Sequence, residues 1–547
     1  MLSGIMSDID INDYCGRFEY VSFDKSIPKG DFARFLVQFV NSLLKSFNLN
    51  NEIFPSAKDN KKGYAMHKMV SLVYYSYSNG FTKASVIADL AKNHTYYKFV
   101  ANGITPDEDT INLFINKWGS FFDYFIAYTV QFAIVSGLTD LNTISIDGTP
   151  LKAANNKFNV IYENDAKTLL NYYMGFRVTN KQLNKLRFPA RRFLNREDLS
   201  NLKKINILKD ILRRFKQTDE NTIPINDIEA IHLINKAGNP DVGYNIQTAV
   251  DFMSKMFICI MATDKATDHY QFPDVIEKAI QNMGEIPETT NVDAGYNTRR
   301  VLERIEEIGL NVLMDNNRSA KLRNGHKNSD KFHKDNMEYN SEGDYFTCYN
   351  NEKLTYQKTN VRWDEKKQDY IIERIYANKE ACFSCPYCEN CCSTKYRKVV
   401  ISGGILALNM DLKMQDYENI LKYITRFSTV EAPNGTLKVF YHINEFLSTG
   451  KVNIQNRLNL CGGSYNLIRI YNQLMEMEDV NKDNILEVTK KFCDLTNVRM
   501  PIWRSIKFPF SDEVLLLPYV CESCKVDESL RDYENSLEDV QITLSEA

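Results

Sequence analysis

The sequence lacks a dominant charge. Its 67 Lys and Arg nearly balance its 70 Asp and Glu, leaving a net −3, so no whole-chain field announces nucleic acid, although a near-neutral total can hide a basic face balanced by an acidic one. It also lacks the opening of an export signal: MLSGIMSDIDINDY has no basic stretch followed by an apolar one, which predicts no secretory leader. The most lipid-like run, FFDYFIAYTVQFAIVSGL (121–138), holds Asp123 and Gln131 and has no basic flank, so a buried core helix is predicted rather than a membrane span. Seven histidines form no HExxH or other spaced ligand set, and Gly462 and Gly463 are followed by no Lys-Ser/Thr pair, which excludes a histidine-based zinc protease motif and a nucleotide-cradling loop.

What is present describes a globular chain. Apolar residues make up 44%, charged residues 25% and aromatics 12% of 547 residues, enough for two to four structural units around sizeable cores. Twelve cysteines without an export signal predict reduced thiols or metal ligands in a cytoplasmic protein, not a disulfide framework. Residues 1–140 are predicted helical, with apolar residues at three- and four-residue spacings in 33–47 and 66–93. Thr105 and Pro106 then read as an N-cap and a proline at the first helical position.

From 141 to 316 the pattern becomes mixed α/β. Strand character at 143–147, 244–250, 256–263, 289–293 and 311–315 alternates with helical stretches, and 251–255 reads as a hairpin turn. Within this part an insertion at about 160–230 contains KQLNKLRFPARRFLNREDLSNLKKINILKDILRRFK (181–216), in which twelve Lys or Arg face three acids on a helix-compatible pattern. Such a run is either a solvated helical face or a phosphate-binding surface. Residues 317–413 are polar and cysteine-bearing, as an insertion would be; 414–475 return to helix; 476–547 form an extension with an acidic tail.

Twice a short strand ends in Asp followed by a small residue: ISIDGT with Asp147 and NVDAGY with Asp293. One such aspartate alone reads more readily as a turn-former or N-cap. Two on neighbouring strands, joined by a carboxylate from a helix, can hold a pair of hard cations about 4 Å apart, as two-metal phosphoryl-transfer sites do.

The ordered set IDGT (146–149), GYNIQTAVD (243–251), TDKATDHYQFPDVIEKA (263–279), VDAGYNT (292–298) and YITRFSTVEAPNGTLK (423–438) resembles the DDE transposases of bacterial insertion sequences. SIPKGDFARFLVQFVNSL (26–43) is similar to the N-terminal helical domain of one branch, and CFSCPYCENC (382–391) to its cysteine-bearing insertion. The resemblance spans about 20–475. It implies an RNase H-like catalytic core with an N-terminal all-helical domain, and hydrolysis and strand transfer at transposon ends with two Mg²⁺ or Mn²⁺ ions. Asp147, Asp293 and Glu431 fall on the three acidic positions, and Tyr423, Arg426 and Lys438 on the residues that flank the family's glutamate, where they would contact DNA phosphates or support Glu431. Pro433, two residues past Glu431, is expected to bend or interrupt that helix.

Cys382, Cys385 and Cys391 have the C-x2-C-x5-C spacing of the family's insertion, with Cys348 as a fourth ligand for a structural Zn²⁺; Cys388 and Cys392, or the pair Cys521 and Cys524, are alternatives. In a DNA-processing protein the basic segment becomes a phosphate-contacting surface, with Arg191, Arg192, Lys203, Lys204, Arg213 and Arg214 foremost. The partners implied are transposon ends and target DNA, with no membrane, the protein acting as a dimer on DNA in the bacterial nucleoid. A catalytically lapsed, transposase-derived DNA-binding protein and a zinc-ribbon adaptor are the competing readings.

Overall fold

The β-prone runs of the middle of the chain gather into one six-stranded sheet. The computed structural model describes residues 23–500 apart from 47–48, 50–51, 58–62, 235–237, 270, 317–328, 366–368, 444–445 and 447, together with the backbone of Ser505–Lys507 and Val514–Leu516. Cys521, Cys524 and the acidic tail lie outside the described residues. Two compact units emerge, one comprising the chain up to Phe114 with Tyr471–Asp494, the other Ile115–Ile470 with the residues from Leu495 on.

In the second unit, helix α1 (Gly119–Val135) leads into β1 (Thr143–Lys152). A helical insertion follows, its longest helix α2 (Asn201–Gln217), and then β2 (Ile231–Ile234), β3 (Pro240–Asp251), β4 (Phe257–Thr263), α3 (Phe272–Met283), β5 (Thr289–Val292), α4 (Arg299–Ile308) and β6 (Val312–Met314). The strand order is β6-β5-β1-β3-β2, with β4 also on β3; β6, β5 and β1 are parallel, whereas β1, β2 and β4 all pair antiparallel with β3.

Helix α1 is apolar nearly all round because it is buried. The side-chain amide of Gln131 donates to the carbonyls of Asn282 and Met283 at 2.8 and 2.7 Å, which satisfies a polar group the helix carries into the core. This packing sets α1 with the sheet, in the compact unit that begins at Ile115. Among the described residues no helix is long and apolar enough to cross a membrane.

The insertion between β1 and β2 has its own small core of Ile161, Leu169, Phe193, Leu208, Ile211 and Ile223. A two-residue ladder, Val160 with Pro224 and Ile161 with Ile223, closes its base. A second sheet lies further along, in the order β7 (Glu338–Asn340), β8 (Tyr345–Thr347), β9 (Lys353–Asp364), β10 (Asp369–Ala377) and β11 (Lys398–Ser402), all antiparallel. Then come α5 (Gly404–Lys413), α6 (Tyr417–Val439) and α7 (Lys451–Met475).

The first unit packs the helices Phe32–Ser46, Met66–Ser78, Ala84–Asn93 and Thr95–Val100 around buried Phe35, Phe39, Leu43, Val70 and Tyr77. Its aromatic cluster includes Phe32, Tyr75 and Tyr471, and the Tyr471 hydroxyl donates to the Gly30 carbonyl at 2.8 Å. Gly30 has φ +68°, and a Cβ there would stand 2.3 Å from the Lys482 carbonyl oxygen, so only glycine fits.

Candidate active site

The register of the sheet determines the site. In the parallel pair β1 and β5, Ile146 stands opposite Val292, the last residue of β5. The next residues, Asp147 and Asp293, therefore lie side by side at the level where β5 stops. The sequence predicts a strand that ends at Asp147, but the strand does not end there. β1 continues to Lys152 because its other edge stays paired with β3, from Asp147 opposite Thr248 to Lys152 opposite Gly243. Asp293 instead begins a short 3-10 turn, Ala294–Tyr296, and its Oδ1 accepts from the Gly295 N–H at 3.4 Å.

Helix α6 crosses this sheet face. The side-chain amide of Asn291 donates to the Lys422 carbonyl at 3.1 Å, and the Thr248 hydroxyl donates to the Asn434 side-chain oxygen at 3.1 Å and to the Asp147 carbonyl at 3.3 Å. Its buried face carries Tyr423, Arg426, Thr429, Val430, Pro433, Asn434 and Leu437. The helix runs on through Pro433 to Val439 rather than ending there, because the residues on both sides of the proline are held against the sheet.

Arg426 is buried between the two aspartates. One guanidinium nitrogen lies 3.2 Å from Asp147 Oδ1 and the other 3.2 Å from Asp293 Oδ2. Burial works against its charge, but Asp293, Tyr423 and Asp147 outweigh that cost and hold its pKa above the ordinary arginine value. The planar fork suits two carboxylates at once in a way that a lysine would not. Arg426 is thus an internal partner of the acid pair, not a side chain presented outward. Four residues between it and Glu431 put the two on different faces of α6, and Glu431 is exposed to solvent.

A third carboxylate stands beside the pair. Asp268, on the loop between β4 and α3, accepts through Oδ1 from the Asn245 and Gln247 side-chain amides at 2.8 and 2.6 Å. Gln247 Oε1 in turn accepts from the hydroxyl of Tyr296, which is fully buried and ionises well above its usual value through desolvation and the nearby Asp268, Asp147 and Asp293. Asp268 was not singled out from the sequence. It is the second acid of TDKATDHYQ, and its motif was already part of the resemblance, which is the one signal that pointed to it.

Two carboxylates converging on one cation is the electrostatic arrangement that a hard divalent ion needs, and carboxylate oxygens are the donors it prefers. Asp147 and Asp293 fit that role as a pair. Among the described residues, however, no three His, Cys, Asp or Glu side chains converge on a metal position, and Glu431 does not close the set. Of the residues expected around the glutamate, Tyr423 packs into the core of this unit and Lys438 is half-buried near the end of α6.

The cysteines occupy the second sheet's end. Cys348 follows β8, Cys382 sits in the helix Lys379–Phe383, and Cys388 and Cys391 bound the next helical turn. The Cys391 thiol is pushed up to about 11 by burial, against the pull of Arg397 and with the Cys392, Cys348 and Cys382 thiols adding to the rise. Cys348, Cys382, Cys385, Cys388, Cys391 and Cys392 are all free thiols.

On the basic insertion, Arg191, Arg192, Lys203 and Arg213 are exposed, the last paired with Asp210 at 2.9 Å. Lys204 is buried and donates to the Leu194 carbonyl at 3.0 Å, and Arg214 is mostly covered, 3.9 Å from Asp264. These two brace the fold in place of a phosphate, because a helix packed on one side must turn some of its basic side chains inward.

Residues 347–471 match the family described as transposase DDE domain. No curated protein and no solved structure matches the chain. Asp147 and Asp293 precede the matched segment, whereas the cysteine group, Arg426 and Glu431 lie inside it; over that segment the chain is similar to the DDE domain of transposases.

Proposed function

We propose that the second unit is an RNase H-like nuclease core and that the protein binds the ends of its element, cuts them at the 3′ termini and joins them to target DNA. The observation that carries this reading is the pairing of Asp147 and Asp293 at the end of β5, on a sheet of four antiparallel-paired strands and two further parallel ones, beside a helix from the matched segment. When bound, Mg²⁺ or Mn²⁺ would activate the attacking hydroxyl or water and stabilise the leaving oxygen. Asp147 and Asp293 would hold it, and Arg426 bridges the two carboxylates from below. Glu431 is the proposed third acid, and reaching the pair requires α6 to turn about its axis.

Exposed Arg191, Arg192 and Lys203 are the proposed phosphate contacts, and the six thiols of the insertion the proposed ligands of a structural Zn²⁺, with Cys348, Cys382, Cys385 and Cys391 foremost. The solvent-facing position of Glu431 favours a second reading, a transposase-derived protein that binds DNA without cutting it. The deciding experiment is cleavage of the element's terminal repeats by the purified chain with Mg²⁺ or Mn²⁺, comparing the native protein with Asp147→Asn, Asp293→Asn and Glu431→Gln. Cleavage lost in all three supports the three-acid enzyme. End binding by the native chain with no cleavage supports the second reading.

A further inference from the structure

The buried chain of polar contacts beneath the acid pair carries more than packing. An ionised carboxylate can only accept hydrogen bonds. With its NH₂ facing Asp268 Oδ1 at 2.6 Å, the Gln247 amide has one orientation left, and its Oε1 necessarily points the other way, at the Tyr296 hydroxyl. Gln247 and Tyr296 are both fully buried, so a flipped amide would set its Oε1 against the Asp268 carboxylate, acceptor against acceptor. Tyr296 closes the 3-10 turn that starts at Asp293. Gln247, in β3, stands opposite Gly148, the neighbour of Asp147 in β1.

The glycine after Asp147 reports a close approach of Asp268, and the glycine of the second motif an ordinary contact with it. A Cβ at Gly148 would lie 2.2 Å from Asp268 Oδ1 and 2.9 Å from Gln247 Nε2, and one at Gly295 3.8 Å from Asp268 Oδ2. Glycine follows Asp147 because the Asp268 carboxylate occupies the space a side chain would need.

We propose that Asp268 is a positioning residue: its carboxylate selects the orientation of the Gln247 amide and, through Tyr296, holds the Asp293 turn level with Asp147. Asn245 steadies the carboxylate from the same strand. The consequence for catalysis rests on the nuclease reading above; the positioning role itself does not.

The test uses the full chain without added metal and reads amide hydrogen exchange across 293–297. Asp268→Ala removes the acceptor, and exchange there should quicken about tenfold, the equivalent of one net hydrogen bond. Asp268→Asn keeps an accepting oxygen in the same place and should stay within about twofold of the native chain, whereas Tyr296→Phe should reproduce the alanine effect. Unchanged exchange in Asp268→Ala overturns the proposal. So does an asparagine variant as impaired as the alanine one, since that would mean the charge and not the geometry matters. Should Asp268→Ala fail to fold, the contrast between Asp268→Asn and Tyr296→Phe decides alone. In the cleavage assay, Asp268→Ala should raise the Mg²⁺ concentration needed for half-maximal rate and Asp268→Asn should not. A native chain that never cleaves would sink the nuclease reading while leaving the exchange result to judge this one.

Discussion

The acid pair and the cysteine group are built in opposite ways. Asp147, Asp268, Asp293 and Arg426 come from four places in the chain, and only strand register and the seating of α6 bring them together. Cys382, Cys385, Cys388, Cys391 and Cys392 fall within one short stretch and are neighbours before any sheet forms, with Cys348 alone brought in by β8. In the first arrangement the charged groups answer one another, Arg426 pairing with both Asp147 and Asp293. The second is a set of free thiols, several of them pushed up by burial and by each other. A site made by long-range pairing shows its geometry in the fold itself, whereas a locally spaced ligand set shows its chemistry in the sequence.

That contrast is open to attack, beginning with the acids. Asp147→Asn and Asp293→Asn should each lower metal-dependent end cleavage by about two to three orders of magnitude, the usual cost of removing a preorganised electrostatic group, with end binding kept. Retained activity in either variant, measured by strand cleavage, would remove that residue from the site.

Next in size is Arg426→Ala, which leaves two neighbouring carboxylates without their shared cation. Thermal or urea unfolding should show a loss of about 2–4 kcal/mol, less than for a fully buried pair because Asp293 is partly exposed. The same substitution combined with Asp147→Asn and Asp293→Asn should recover part of that loss, and failure to do so would mean the pair is not what Arg426 stabilises.

The cysteine side should respond to pH and to metal rather than to unfolding of the sheet. A thiol at about 11, like Cys391, is protonated at neutral pH, and Zn²⁺ must displace that proton. Zinc affinity should therefore rise as pH increases from about 6 to about 8, and Cys382→Ser with Cys385→Ser should abolish bound zinc in metal analysis of the purified chain. A pH-independent affinity would argue against thiolate ligation.

The smallest effect expected is on the basic insertion. Replacing Arg191, Arg192 and Lys203 by Ala should flatten the slope of log affinity against log salt by up to about 0.9 per lost phosphate contact. Replacing buried Lys204 should leave that slope unchanged and lower stability instead. The reverse result would exchange the roles assigned to these residues.

The sequence by itself determined the elements and the inventory of chemistry: an apolar helix at 121–138, a hairpin at 251–255, a basic helical insertion, a cysteine run, and two Asp-small-residue motifs whose order carries the family resemblance. These are readable because periodicity, spacing and turn residues act over a few positions. Tertiary structure decided the rest. It carried β1 past Asp147, since pairing with β3 outlasts pairing with β5, and it turned Arg426 inward to bridge the aspartates while Glu431, on another face of the same helix, stayed in solvent. It also added Asp268, which no local pattern distinguishes from a loop acid. Each of these depends on which side chains a distant strand or helix places opposite, and that information is nowhere in the neighbouring residues.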